Sequence, residues 1–136
     1  MKIGDGAPIL VVDDNVADLE LMQICHARAG VENMLLRFDR GSVLLNHLAR
    51  VKAGEQPMPA LVLLDINMPQ MNGFEILERV RGISEFRELP IIVFFTSSSN
   101  PRDRVRANEV GANGFRIKPS SIAGYGELFT SLAEEL

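Results

Sequence analysis

Four short apolar runs in this chain each stop on a polar residue. Ile9-Leu10-Val11-Val12 runs into Asp13 and Asp14, Leu61-Val62-Leu63-Leu64 into Asp65, Ile91-Ile92-Val93-Phe94-Phe95 into Thr96, and Phe115-Arg116-Ile117 into Lys118. The runs are strand-length, and longer amphipathic stretches separate them. That alternation is the sequence form of βαβ units wound around a parallel sheet. In an open parallel sheet, ligands bind in the crevice outside the carboxyl ends of the strands. Three carboxylates, a hydroxyl and an amine are therefore expected to converge there.

Five such units fit into 136 residues, which is the size of one domain, so the expected architecture is a single α/β domain over 1–136. Strands are expected near 9–13, 34–38, 61–64, 91–95 and 114–118. Helices are expected near 17–29, 43–52, from 73 to 82, from 101 to 111, and over 125–135. Gly30 follows the first helix, where a left-handed cap is affordable. Asn100 followed by Pro101 reads as an N-cap with proline at the first helical position, where its missing N–H costs nothing.

Asp13, Asp14 and Asp65 crowd three negative charges into a small volume. Two carboxylates 4 Å apart repel by about 1 kcal/mol in water and roughly 4 kcal/mol at an effective dielectric near 20, so a cation is needed to hold them together. Mg²⁺ suits the set, because it prefers oxygen ligands and commonly combines one or two carboxylates with waters and a phosphate oxygen. Lys118 adds a mobile point charge able to pair with a carboxylate or a phosphoryl oxygen. Thr96 adds a hydroxyl donor.

These pieces together resemble the response regulator receiver domain, the CheY-like module of two-component signalling. The resemblance is carried by Val12-Asp13-Asp14, by the stretch from Leu64 and Asp65 through Asn67, Met68, Pro69 and Met71 to Gly73, by Thr96 after Pro90 and its strand, and by Lys118-Pro119. It implies a flavodoxin-like, doubly wound sheet of order 2-1-3-4-5 with five helices, for which the CheY fold is itself a standing example. It also implies the roles. Asp65 accepts a phosphoryl group from a phosphohistidine on a sensor histidine kinase. Asp13, Asp14 and Asp65, with the backbone carbonyl of Asn67, hold Mg²⁺. Thr96 and Lys118 bind the phosphoryl group, and Lys118-Pro119 is implied to be a cis peptide. Thr96 and Phe115 are the implied switch pair, changing the face made by the fourth helix, fifth strand and fifth helix.

One irregularity interrupts the match. The family usually places its switch hydroxyl five residues after the proline opening the fourth strand; here that position is Phe95, and Thr96 is the sixth. Either a bulge turns Thr96 to the site and Phe95 into packing, or the loop carries the extra residue and Phe95 faces the site, with Ser97 or no hydroxyl reaching it. Adjacent side chains on a strand face opposite sides, so the two are exclusive. The first is expected.

Two other functions compete with the switch. A phosphohydrolase working through an aspartyl-phosphate needs a second acid two residues after its nucleophile, and Asn67 occupies that place; no enzymatic role beyond the domain's own phosphorylation and dephosphorylation is expected. A receiver-like scaffold that binds partners without phosphorylation is kept open by the Phe95 and Thr96 irregularity. His26 and His47 sit in helical patterns without ligands at metal spacing, and Cys25 falls among apolar helix residues as a buried thiol.

A net charge of -4 without a basic block argues against nucleic acid as a partner. No run approaches a membrane span, and the first eight residues lack a signal peptide's apolar stretch, so a cytoplasmic protein is expected. At this length no output domain is expected to follow, and the output would be a protein contact. The pattern is similar to the stand-alone regulators that partner phytochrome-type kinases. A homodimer is expected through the switching face, to which Leu128, Phe129 and Leu132 would add apolar surface and Arg102, Arg104 and Arg106 charge.

Overall fold

The computed structural model describes residues 7–135, with side chains through 131. Five parallel strands, β1 (Ile9–Val12), β2 (Leu35–Phe38), β3 (Leu61–Leu64), β4 (Ile92–Thr96) and β5 (Gly114–Ile117), form one sheet in the order β2-β1-β3-β4-β5. Helices α1 (Val16–Ala29), α2 (Gly41–Lys52), α3 (Gly73–Arg81), α4 (Pro101–Glu109) and α5 (Ile122–Glu135) connect and follow them, with a single 3-10 turn at Ser84–Phe86. This is the expected doubly wound order. The last helix begins three residues earlier than its apolar periodicity suggests.

Strand alternation divides the core in two. Leu10, Val12, Val62, Leu64, Ile92 and Phe94 face α2, α3 and α4, where Leu44, Leu48, Phe74 and Leu77 meet them. Ile9, Val11, Leu61, Leu63 and Phe95 face α1 and α5, against Met22, Cys25, Tyr125 and Phe129. Central parallel strands are covered on both faces and so read as continuous apolar runs, which is why these segments stand out in the sequence. Cys25 is buried, as expected.

Helix ends carry the local chemistry the sequence advertises. Asn15 caps α1 by accepting from the Asp18 N–H, Gly30 closes it at φ +69°, and Asn100 caps α4 with Pro101 at its first position. Asn72 and Glu75 form a reciprocal capping box at the start of α3.

Three expectations are corrected. The cis peptide among the described residues is Leu89–Pro90, not Lys118–Pro119. Leu128 and Phe129 are buried against α1 and the sheet, so they add nothing to an exposed face; the Leu132 side chain lies outside the described residues, as do residues 1–6 of the amino-terminal segment. The pairing of β4 is regular, from Ile92 opposite Val62 to Thr96 opposite Ile117, so no bulge interrupts the strand, although Phe95 and Thr96 face the sides the bulge was invoked to explain.

Gly73 sets how closely α3 approaches the end of β3. Its N–H donates to the Ile66 carbonyl at 2.8 Å, and a Cβ there would collide with the Asp65 carbonyl oxygen and come within 2.9 Å of the Phe94 ring. Gly126, in the middle of α5, has open space around it. Gly73→Ala should therefore lose about 1–3 kcal/mol through overpacking, whereas Gly126→Ala should gain up to about 1 kcal/mol from helix propensity. Urea unfolding of the two variants measures both, and equal effects would refute the close-approach account.

Candidate functional site

The carboxyl ends of β1, β3, β4 and β5 come together through the backbone before any side chain is considered. The Asp13 N–H donates to Phe38 O at 3.0 Å, the Asp65 N–H to Val12 O at 3.0 Å, and the Lys118 N–H to Thr96 O at 2.7 Å. The sheet ladder thus continues one residue past each strand and fixes where the three side chains start.

Sheet order explains the residue types. Lys118 leaves β5 and must pass β4 to reach β3 and β1, and neighbouring strands lie about 4.8 Å apart. Its long side chain makes that span. The ammonium Nζ lies 2.7 Å from Asp13 Oδ2, 2.9 Å from Asp18 Oδ2 and 3.5 Å from Asp65 Oδ2. On the intervening strand only a short side chain leaves room, and Thr96 supplies it, fully buried.

Burial sets the electrostatics. Asp13 and Asp65 are 1% and 6% exposed. Burial pushes Asp13 up to about 6, against the opposing pull of Lys118 and of the Asn15 N–H, which donates to its Oδ1 at 2.9 Å. Burial also raises Asp65, opposed by Lys118, by the Ile66 N–H at 2.8 Å and by the Thr96 hydroxyl. For Lys118, burial alone would lower the affinity for a proton, but its bonds to Asp13 and Asp18 outweigh it and hold the ammonium charged. The pair therefore stabilises the lysine's charge more completely than it offsets Asp13's desolvation. One ammonium does not neutralise this many carboxylates.

That remaining negative charge fits a divalent cation. Oxygens of Asp13, Asp14 and Asp65 lie within 4.8 Å of one another, with Asp14 exposed and the other two buried. Asn67, in the loop after β3, is exposed at its edge.

Thr96 and Phe95 resolve the irregular strand end. The Thr96 hydroxyl oxygen accepts from the Ser98 N–H at 3.2 Å while lying close enough to Asp65 to favour its ionised form. Phe95 turns to the opposite layer and meets the Tyr125 ring edge-on, with centroids 5.7 Å apart. Ser97 is exposed. Phe115 is partly buried on the α4 side, 6.5 Å from the Phe94 ring, with the Arg104 guanidinium 4.8 Å above it. Arg106 likewise stacks on Phe74, so two of the three α4 arginines cover aromatic rings rather than standing wholly in solvent. The two histidines are away from the cluster: His26 bonds the Asn33 carbonyl and His47 packs against Phe38.

Asp18 and Tyr125 are the site residues the sequence did not reveal. Asp18 reads there as an acidic residue in a helix's first turn, where dipole and capping preferences already explain it.

A sheet of this order with an acidic pair, a lone strand-end aspartate and a lysine at its carboxyl edge defines a phosphoryl-accepting switch domain. The chain belongs to the response regulator receiver domain family, whose model matches residues 9–126. It is 31% identical over 135 residues to the two-component response regulator ORR11 of Oryza sativa, covering 96% of this chain and 84% of the rice protein. It is 28% identical over 115 residues to response regulator Rcp1 of Synechocystis, covering 84% and 78%. Among solved structures, response regulator RPA3017 in red light signaling of R. palustris matches with a TM-score of 0.80 and 28% identity over 92% of this chain and 90% of that one. The Mn²⁺-bound form of Rcp1 has the same fold, with a TM-score of 0.81 and 24% identity over 95% and 93%.

Asp13's elevated value has a consequence for cation binding. Carboxylate ligands must be deprotonated, and burial, which pushes Asp13 up to about 6, favours its protonated form at lower pH. Without metal, Asp13 favours the fold most at low pH, and that contribution is lost as pH rises from the ordinary carboxylate range through about 6. Stabilisation by a divalent cation that needs an ionised Asp13 has the opposite pH order. At a hundred times its Kd, a divalent cation bound by this cluster, titrated as Mg²⁺, should stabilise the protein by about 2.7 kcal/mol near pH 7.5 and by less near pH 5, as read by urea unfolding with and without the ion. Equal stabilisation at both values would contradict this account.

Proposed function

We propose that this receiver domain is switched by phosphorylation of Asp65, and that Lys118 and Thr96 hold the phosphoryl group while Asp13, Asp14, Asp65 and the Asn67 carbonyl hold Mg²⁺. The observation that carries this reading is the Lys118 ammonium, which spans two strands to stand beside both Asp13 and Asp65. A bound Mg²⁺ supplies positive charge that lets an anionic donor approach an acidic cluster.

The chemistry is transfer from a phosphohistidine of a sensor histidine kinase. An Asp65 carboxylate oxygen attacks phosphorus, a P–O bond forms, the P–N bond breaks, and the departing imidazole takes up a proton. Lys118 pairs with the negative oxygens of the transferred group, and the Thr96 hydroxyl donates to one of them. No other substrate is turned over: Asn67 stands where an aspartyl-phosphate phosphatase places its second acid, and an amide cannot act as one.

Output follows from Thr96 and Phe115. As Thr96 moves toward the phosphoryl group, space opens beside Phe94 for the Phe115 ring to move inward, releasing the Arg104 stack above it. The face of α4, β5 and α5 then changes, as a two-state element biased by local charge. Val105, Ile117 and Ile122 are exposed on these three elements, and a homodimer formed through them would cover them.

The likeness to Rcp1 and to RPA3017, the latter described in red light signaling, supports a phytochrome-type kinase as the phosphodonor. The absence, among the described residues, of a helix long and apolar enough to cross a membrane fits a cytoplasmic setting, and the net charge of -4 fits a protein partner over nucleic acid.

Incubation with acetyl phosphate and Mg²⁺ should raise the intact mass by one phosphate in the wild type and leave Asp65→Asn unchanged. Uptake in that variant would sink the assignment. Thr96→Ala should still take up phosphate but lose most of the phosphorylation-dependent association measured by sedimentation, because the hydroxyl that follows the phosphoryl group is gone. If Ser97→Ala has that effect and Thr96→Ala does not, the hydroxyl belongs to Ser97.

A further inference from the structure

Helix α1 brings a third carboxylate to Lys118 that the roles above leave unused. Asp18 Oδ2 lies 2.9 Å from the ammonium, closer than Asp65 at 3.5 Å and close to the 2.7 Å of Asp13. Asp18 is not one of the three residues whose oxygens cluster tightly enough to share a cation. Its other oxygen faces the Tyr125 hydroxyl of α5 at 3.5 Å, and its backbone N–H donates to the Asn15 side chain at 3.1 Å. Asn15 in turn donates its own N–H to Asp13. Asp18 thus bridges α1 to Tyr125 of α5 and to Lys118, outside the group of three.

An ammonium has three N–H donors; here it donates to Asp18 and lies within ion-pair distance of Asp13 and Asp65 as well. Removing Asp18 would leave Lys118 only Asp13 and Asp65, and its nearest oxygen, Asp13 Oδ2, is one that a divalent cation would also require. Lysine and cation would then compete for one ligand. With Asp18 present, Lys118 keeps a partner when Asp13 turns to the cation, and its remaining donors stay beside Asp65. We propose that Asp18 is a positioning residue that holds the Lys118 ammonium beside Asp65 while releasing Asp13 to a divalent cation. The role rests on Asp65 as the phosphoacceptor.

The test compares wild type and Asp18→Asn in two measurements. The first is the rate of phosphoryl uptake from acetyl phosphate across a Mg²⁺ titration. Loss of one negative charge weakens Mg²⁺ binding whatever Asp18 does, so the diagnostic value is the rate at saturating Mg²⁺. It should fall about tenfold, the lower end of what loss of a residue that orients a metal or site ligand costs, and Asp18→Glu should recover part of it. The second is the hydrogen exchange of the Lys118 ammonium in metal-free protein, followed by nitrogen-15 NMR, which should quicken in the variant. Asp18 is partly exposed, and Asp18→Ser should reproduce both changes. A wild-type rate at saturating Mg²⁺, or unchanged ammonium exchange, overturns the proposal. If the wild type itself takes up no phosphate, the Asp65 reading fails, and the ammonium exchange alone then decides what Asp18 does.

Discussion

One ammonium holds the carboxyl edge of this sheet together. Asp13 and Asp65 are nearly removed from water, Asp18 adds a third carboxylate at 2.9 Å from the same nitrogen, and Lys118 is the cation that all three share. Carboxylates so placed would otherwise repel by several kcal/mol at a protein-like dielectric. The lysine's reach matters as much as its charge. It begins on the edge strand β5 and ends over β3 and β1, so it connects residues that the sheet order keeps three strands apart. Burial raises the proton affinity of Asp13 despite the lysine, and one ammonium stands against three carboxylates. A site left short of positive charge is one that a divalent cation, and then a phosphoryl anion, can enter with gain.

The same order makes β4 the gate between lysine and aspartate. Thr96 occupies its end with a small side chain, and Phe95 is thrown to the other layer by strand alternation, where it meets Tyr125. Had the pairing slipped by one residue, a phenyl ring would stand where the hydroxyl does. Regular pairing from Ile92 to Thr96 prevents that slip, because Phe94 packs against Phe74 on one face while Val93 and Phe95 fill the other. The core's packing, not the loop after the strand, therefore chooses which side chain faces Asp65.

On the far side of β5 the aromatic ring of Phe115 sits between the core and the Arg104 guanidinium. The ring thus has the core aromatic Phe94 on one side and a cation on the other. The flanking groove of about 500 Å³ between α4 and β5, lined by Arg104, Val105, Asn108 and Phe115, lies on the same face. Site and surface are thus linked by contiguous side chains across β4 and β5.

The sequence alone determined the strands, their order of appearance and the chemical types at their ends, because buried parallel strands are written as uninterrupted apolar runs and polar residues at their ends have few structural uses. Asp13, Asp14, Asp65, Thr96 and Lys118 were legible for that reason, and Gly30 and the Asn100-Pro101 helix start were legible from their own local preferences. Only the tertiary structure decided which way Phe95 and Thr96 face, since the pattern of an all-apolar strand carries no alternation to read. It also decided that Leu128 and Phe129 belong to the core, and that the cis peptide falls at Leu89–Pro90. Asp18 and Tyr125 came to light only there, because their meeting with Lys118 depends on where α1 and α5 settle side by side on the sheet. That placement is fixed by Met22, Cys25 and Phe129 packing between the two helices and the strands, far in sequence from the charges it brings together.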